Sequence, residues 1–302
     1  MNLSKKLSVT LIASCMSAAS FADPITLYGR VNVSVQSTDE GEGQVTELKS
    51  NNSRLGVKGK LDLENDLEVL YVAEWRVDFT DESGSDNFSA RNQYVGLRGG
   101  FGTVLLGRND TVLKQTQGNI DQFNHYEADI KALWQGENRM GDSITYFSPK
   151  FNGVTFGASY IAQDEVTGHD AQSYSIAYGD KNLKNSRWYA AIAADFYMKG
   201  YDTQRMSFQT KFADLVLGAI LHNQKSIATG DSKTGALVSA AYSISKVVLK
   251  GQLQSLKDDN SVTIGLDYKL GKATKAFTWF TYTGVQGTAD KAWLAAGLEH
   301  KF

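Results

Sequence analysis

One cysteine, two prolines and no apolar run long enough to cross a bilayer as a helix are what this 302-residue chain has least of. The cysteine, Cys15, falls in an N-terminal segment with the layout of a secretory leader. Lys5 and Lys6 form a basic n-region, residues 7–13 are apolar, and Ser20-Phe21-Ala22 is a small-x-small cleavage signal. Residues 1–22 are therefore expected to be removed, leaving one domain over 23–302. The stretch Ile12-Ala13-Ser14-Cys15 resembles a lipobox, but the apolar run before it is short for that pathway. A secreted chain without cysteine has no disulfides and no thiol chemistry. With only Pro24 and Pro149, no proline-rich linker divides it. Charge of one sign is also lacking: Lys and Arg total 31 against 33 Asp and Glu. That balance gives no footing for nucleic acid, so any useful charge is local.

What the chain has is glycine (28), tyrosine (14), phenylalanine (14) and alternation. In "ITLYGRVNVSVQ" Ile25, Leu27, Val31, Val33 and Val35 share one face, and Tyr28, Arg30, Asn32, Ser34 and Gln36 the other. In "SRLGVKGKLDL" Leu55, Val57, Leu61 and Leu63 oppose Arg54, Lys58, Lys60 and Asp62. In "LEVLYVAEWRVDF" Leu67, Val69, Tyr71, Ala73 and Trp75 oppose Glu68, Glu74, Arg76 and Asp78. A period of two means strands with one apolar face. The runs are about 11 to 13 residues, longer than the roughly 5 to 6 of sandwich strands and matched to the roughly 9 to 11 that cross a bilayer when tilted. Full charges in mid-strand suit a wet lumen. The expected fold is all-β, a transmembrane antiparallel barrel of about 16 strands.

The strands are placed near 24–36, 53–63, 66–80, 89–99, 102–109, 139–148, 153–164, 172–179, 187–197, 203–213, 215–225, 235–244, 246–256, 261–269, 274–285 and 291–302. Residues 102–109, 215–225 and 274–285 are anomalous, being apolar on both faces. Short connectors such as "LEND", "GGFG" and "KFNG" alternate with longer ones at 37–52, 81–88 and 110–138, as in barrels with short periplasmic turns and longer external loops. In the last strand Leu294, Leu298 and Phe302 share the outer parity, which puts Phe302 at the periplasmic interface.

The pieces "LYGR" (27–30), "SRLGVKG" (53–59), "RNQYVGLRGGFGTVLLGRN" (91–109), "RMGDSITYFSP" (139–149) and the terminal phenylalanine, in that order, resemble the Gram-negative general porins. The resemblance implies a homotrimeric, water-filled outer-membrane channel for ions and small hydrophilic solutes, in contact with lipid and lipopolysaccharide. It implies that the assembly machinery reads Phe302. It also implies a third extracellular loop folded into the barrel, here Asp110–Asn138, although a "PEFGG"-like turn is absent. Matching the family's basic ladder are Arg30, Arg54, Arg91 and Arg139; Lys58, Glu74 and Arg76 share the polar parity. Asp121, Glu127 and Asp129 are expected to form an acidic rim facing the arginines. With His125 those carboxylates could instead suggest acid–base or metal chemistry, but the four histidines stand in no nucleophile motif. No enzyme activity, cofactor or metal is expected. A sugar-selective channel, its path lined by Tyr28, Tyr94, Phe123, Tyr126 and Trp134, is the competing reading.

Overall fold

The computed structural model describes residues 25–81, 87–163, 166 and 168–302, so the leader and its Cys15 lie outside the described residues. The strands are β1 (Thr26–Asp39), β2 (Gln44–Ser50), β3 (Arg54–Asp62), β4 (Glu68–Val77), β5 (Phe88–Gly99), β6 (Gly102–Asp110), β7 (Arg139–Phe147), β8 (Val154–Ile161) and β9 (Ala171–Gly179). Beyond them come β10 (Trp188–Met198), β11 (Tyr201–Phe212), β12 (Leu215–Ser226), β13 (Ser232–Ile244), β14 (Val247–Leu256), β15 (Asp259–Lys269), β16 (Thr274–Gly284) and β17 (Lys291–Lys301). Both β2 and β3 pair with β1 and are two halves of one stave, broken at 51–53 where Asn52 takes a φ of 54°. The barrel therefore has sixteen staves, all antiparallel.

Closure is made by β1 and β17, in register from Arg30 opposite Lys301 to Asp39 opposite Ala292. The seam extends to the last residue: the Gly29 amide donates to the Phe302 carbonyl (2.9 Å) and the Phe302 amide to the Gly29 carbonyl (3.2 Å). Leu27, Val35, Leu294, Leu298 and Phe302 are each more than half exposed, so their parity is the outer one. The inner parity is polar and buried, as at Asn32, Ser34, Gln36 and Glu299.

Two expectations from the sequence are corrected. The connector placed at 37–52 is mostly strand: β1 runs on to Asp39 and β2 begins at Gln44, because Gly41 and Gly43, both at positive φ, reverse the chain at once. Several connectors at that end are equally tight, with 199–200 and 257–258 joining their strands in two residues. Only 111–138 is a long excursion among the described residues.

Gly29 matters because a Cβ there would stand 2.8 Å from the Arg54 carbonyl and strike the Phe302 ring. Gly29→Leu is expected to displace the terminal ring and slow closure of the β1–β17 seam. The check is the fraction running as the compact, unheated form on a semi-native gel after refolding; Phe302 deletion serves as the reference defect, and a normal fraction would contradict the account.

Candidate functional site

Two irregularities in the wall organise its charges. In β5 strict alternation from the outward-facing Val95 would turn Arg91 outward as well. The register with β4 instead slips between Ala73 and Trp75, where one residue of β4, Glu74, faces two of β5, Arg91 and Asn92. This bulge brings Arg91 and Asn92 both to the inner face, a re-aiming that bulges commonly perform. In β7 the register against β6 slips likewise between Gly107 and Asn109, where Asp142 takes a φ of 46°.

The inner face of β1, β3, β4 and β5 then carries one continuous charge cluster. Arg30 and Arg54 are direct cross-strand partners, and Arg54 faces Arg76 on the next strand. Adjacent cations repel, and two glutamates offset this. Arg91 Nε lies 2.6 Å and Arg54 Nε 3.5 Å from the Glu74 carboxylate, which also accepts from the Tyr28 hydroxyl at 3.1 Å. Arg30 reaches Glu299 at 3.4 Å and donates to the Asn52 carbonyl at 3.1 Å, a group freed by the break between β2 and β3. Asn52 serves three partners, since its side-chain oxygen also accepts from Arg91 (3.2 Å) and its amide nitrogen lies 3.1 Å from Nδ1 of His125. Further round, Arg139 meets Asp110 (3.0 Å) and the Asn92 side-chain oxygen (2.6 Å), and Asp110 also holds Lys114 (3.1 Å).

Sequence reasoning missed the stretch of wall just across the β1–β17 seam, from β14 to β16. Lys250 on β14 and Lys275 on β16 clasp Asp267 on β15 at 3.0 and 2.8 Å. Alternation carried the signal: Lys250 shares parity with Gln252 and Gln254, which are both buried. Lys58 and Arg76 share the inner parity of Arg54 but lie outside the charged cavity of about 890 Å³ that the others surround. Lys58 is exposed with its ammonium 5.0 Å from the Tyr28 ring centre.

Residues 111–138 pack on side chains of inner parity. The segment opens with a short helix, α1 (Val112–Gln115), capped by Thr111. Wall side chains then satisfy its backbone. Ser173 accepts from the Leu113 amide, Ser239 donates to the Ile120 carbonyl (2.6 Å), and Gln252 and Gln254 donate to the carbonyls of Ala128 and Ile130. Apolar side chains fill the rest. Phe123 and Tyr126 pack on Phe277, Trp279 and Trp293; Ile120, Ile130 and Trp134 pack on Ile220, Leu237 and Leu256. Trp134 donates to the Ser255 carbonyl (2.8 Å) and stacks on His222 at 4.6 Å. Buried Glu137 meets buried Arg205 at 2.7 Å, a pair whose breakage costs about 3–5 kcal/mol. Three wall glycines are the sockets: a Cβ would lie 2.7 Å from Ile120 at Gly218, from Trp134 at Gly235 and from Phe123 at Gly265.

Of the expected acidic rim, Asp121 and Asp129 border the same cavity as the four arginines without pairing with them, and Glu127 lies outside it. Asp121 accepts from the amides of Phe123 (3.0 Å) and Ile130 (3.1 Å), and Asp129 from those of Lys131 and His125 (both 3.0 Å). Both carboxylates hold the segment's own turns and do not meet the arginines, because a compact turn leaves amides that a nearby carboxylate satisfies. Burial, and then the neighbouring Asp129, pushes the Asp121 carboxyl above its usual range. Glu127 pairs with Lys49 at 3.0 Å, away from the arginines. Phe123 and Trp134 do not line a path, being buried against the wall, whereas Tyr126 borders the charged cavity. Burial pushes the Tyr126 hydroxyl up to about 12.

The comparisons fit this geometry. The model of the Gram-negative porin family matches residues 7–288. The chain belongs to the Gram-negative porins. Among its relatives are the major outer membrane proteins P.IB of Neisseria gonorrhoeae, 28% identical over 355 residues, and of Neisseria meningitidis serogroup A, 26% identical over 345 residues. Each comparison covers 99% of this chain and all of the relative. Among solved structures, the anion-selective porin of Comamonas acidovorans superposes with a TM-score of 0.73 at 20% identity, covering 93% of this chain and 100% of that one. Salmonella typhi OmpF, solved with daunomycin, gives a TM-score of 0.75 at 16% identity over 93% and 98% of the two chains. This porin is thus a sixteen-stranded β-barrel of the outer membrane.

Two outcomes test the packing of 111–138. Gly265→Leu fills the Phe123 socket and is expected to raise single-channel current noise and change conductance; an unaltered current trace would contradict the seating. The second concerns pH. Burial, and next the charges of Arg30, Arg54 and Arg91, push the His125 imidazole far below its usual value. A base with a depressed pKa binds fewer protons when docked than when free. Docking is therefore fully favoured above about pH 6.5 and weakens by up to about 1.4 kcal/mol for each pH unit below it. Acidification from pH 7 to 5 is expected to increase current noise in the native protein and to have little effect in His125→Gln.

Proposed function

We propose that this porin is a passive diffusion channel that favours small anions, with 111–138 acting as a third extracellular loop folded into the lumen to narrow it. The observation that carries the reading is the charge around the 890 Å³ cavity, where eleven basic side chains meet seven carboxylates. Three of those carboxylates are engaged elsewhere: Asp121 and Asp129 hold backbone amides, and Glu137 is paired with Arg205. Arg30, Arg54, Arg91 and Arg139 form the basic side of the constriction, and Lys250 and Lys275 extend it across the β1–β17 seam, where Lys275 lies 4.0 Å from Glu299, the partner of Arg30. Opposed charges across a confined lumen orient water and polar solutes, and the surplus sets the preferred sign. The Comamonas acidovorans porin is described as anion-selective, which supports the same sign here.

The reading includes no catalytic step and no cofactor. It implies a homotrimer, as a Vibrio cholerae porin of the same fold, OmpT, is described in a trimer form. It also implies membrane lipid and lipopolysaccharide as surroundings, and an assembly machinery that reads Phe302.

A unit charge about 7 Å from a permeating ion in water is worth about 0.6 kcal/mol, favourable for an anion and unfavourable for a cation, and so roughly sevenfold in the ratio of the two. Arg54→Ala and Lys250→Ala are each expected to lower the anion-to-cation permeability ratio by about that factor, read from reversal potentials in a salt gradient. The shift is expected to shrink from about 0.1 M to 1 M salt as screening shortens from about 10 Å to 3 Å. A native channel that prefers cations would overturn the reading.

A further inference from the structure

A second cavity, of about 560 Å³, opens inside the lumen at the end of the barrel where β5 turns into β6 and β9 into β10. Its chemistry differs from that of the charged cavity, because its floor is apolar. Leu70 on β4, Gly96 on β5 and Leu105 on β6 are consecutive cross-strand partners on the inner parity, while Val95, Leu97 and Leu106 beside them are exposed on the outer one. Gly96 leaves the gap in which the two leucines meet, since a Cβ there would stand 2.5 Å from Leu105 and 3.3 Å from Leu70. Tyr94 extends the floor along β5, where its partner Gly107 has no side chain to cover it, and Phe147 extends it on β7. Leu105 is also the inner half of 102–109, one of the strands that read as apolar on both faces.

The sides of this cavity are cationic, with Arg98, Lys114 and Lys181 on its border. Lys181 comes from the turn 180–187, which is held against the lumen at two points. Its carbonyl accepts from the side-chain amide of Gln209, fully buried on the inner parity of β11, and the Asn182 side-chain oxygen accepts from Asn119 of the segment 111–138 at 3.4 Å. Two carboxylates nearby are each shared by two cations. Asp110 lies between Lys114 (3.1 Å) and Arg139 (3.0 Å), and Glu68 between Lys60 (2.7 Å) and Arg98 (2.8 Å). Among the described residues, Lys181 has no carboxylate within ion-pair distance, and its neighbour Asp180 is taken up by the amides of Asn182, Lys184 and Asn185. Positive charge is thus in surplus around a floor that carries none.

Chloride would use only the cations, and a neutral sugar would leave them uncompensated. A flat apolar body with one negative charge uses both halves, and the cavity falls within the roughly 300–1,000 Å³ of small-molecule sites. We propose, on the reading of the pore as an anion-favouring channel, that this cavity is a subsite for small aromatic carboxylates. The ring lies on Leu70, Tyr94, Leu105 and Phe147, and the carboxylate meets the ammonium groups of Lys181 and Lys114. Side-chain amides on the same border, among them Asn92, Gln117 and Asn119, supply further donors to the oxygens.

Single-channel recordings report only channels that have folded and inserted, so they test the full-length mature protein and its variants alike. Benzoate, acetate and the neutral benzamide are the probes. Burying about half of an aromatic ring is worth about tenfold in affinity, so benzoate is expected to halve the chloride current at about a tenth of the acetate concentration, with little block by benzamide. Tyr94→Ser and Leu70→Ser are each expected to cut the advantage of benzoate over acetate roughly threefold. A unit charge about 4 Å away in water is worth about fivefold, so Lys181→Gln is expected to weaken benzoate block by about that factor. Lys184→Gln, in the same turn but not on this cavity, is expected to leave it unchanged. Equal block by benzoate and acetate, equal block by benzamide, equal weakening by Lys184→Gln, or a benzoate advantage that survives both floor variants would each overturn the subsite. The reversal potential in a potassium chloride gradient separates the two readings. A cation preference overturns the anion-favouring channel itself, whereas an anion preference without benzoate block overturns the subsite alone.

Discussion

Hydrocarbon offers no hydrogen bonds, and every other feature of this porin follows from that. An amide or carbonyl left unpaired in the bilayer costs several kcal/mol, so a sheet that enters it has to close on itself. The seam between β1 and β17 is where that requirement is met, down to the exchange of backbone bonds between Gly29 and Phe302. Closure then assigns the faces. With lipid outside, the inner parity is the only place for Arg30, Glu74 and Glu299, and a charge on the outer parity near mid-membrane would cost roughly 2 to 4 kcal/mol.

Closure also crowds like charges, and the wall answers locally. Arg30 and Arg54 sit directly across from one another, a destabilising arrangement on any sheet. It is tolerated because Glu74 and Glu299 lie against them and because the break at Asn52 turns a carbonyl toward Arg30 and a side-chain oxygen toward the neighbouring Arg91. The strand irregularities thus belong to the charge arrangement. Without the β5 bulge, Arg91 would leave Glu74 and point toward lipid.

The segment 111–138 is a small core of its own within a polar setting. Its aromatic side chains contact wall residues that no membrane barrel needs for spanning: Ile220, Leu237, Phe277, Trp279 and Trp293. This explains two of the three strands whose sequence is apolar on both faces. The outer face of 215–225 and of 274–285 meets lipid, while the inner face meets the packed segment. Gly218, Gly235 and Gly265 are the complementary half of the pattern, an absence of side chain where a large one has to enter.

By itself the sequence determined the barrel, the parity of Arg30, Arg54 and Glu74, the position of the long excursion and the outer placement of Phe302. Each is written in a period of two or in the spacing of turns, and both are local properties of the chain. It was silent on Lys250 and Lys275, although the parity of Lys250 was visible, because nothing local says that β14 to β16 come round to the β1–β17 seam and bring Lys275 beside Glu299. The sign of the charge surplus was equally hidden. Four arginines and four loop carboxylates nearly cancel on paper, yet folding turns Asp121 and Asp129 onto backbone amides and sends Glu137 to Arg205. Hydrogen-bond partners are chosen in three dimensions, so only the tertiary structure decided which carboxylates remain free to balance the cations of the pore.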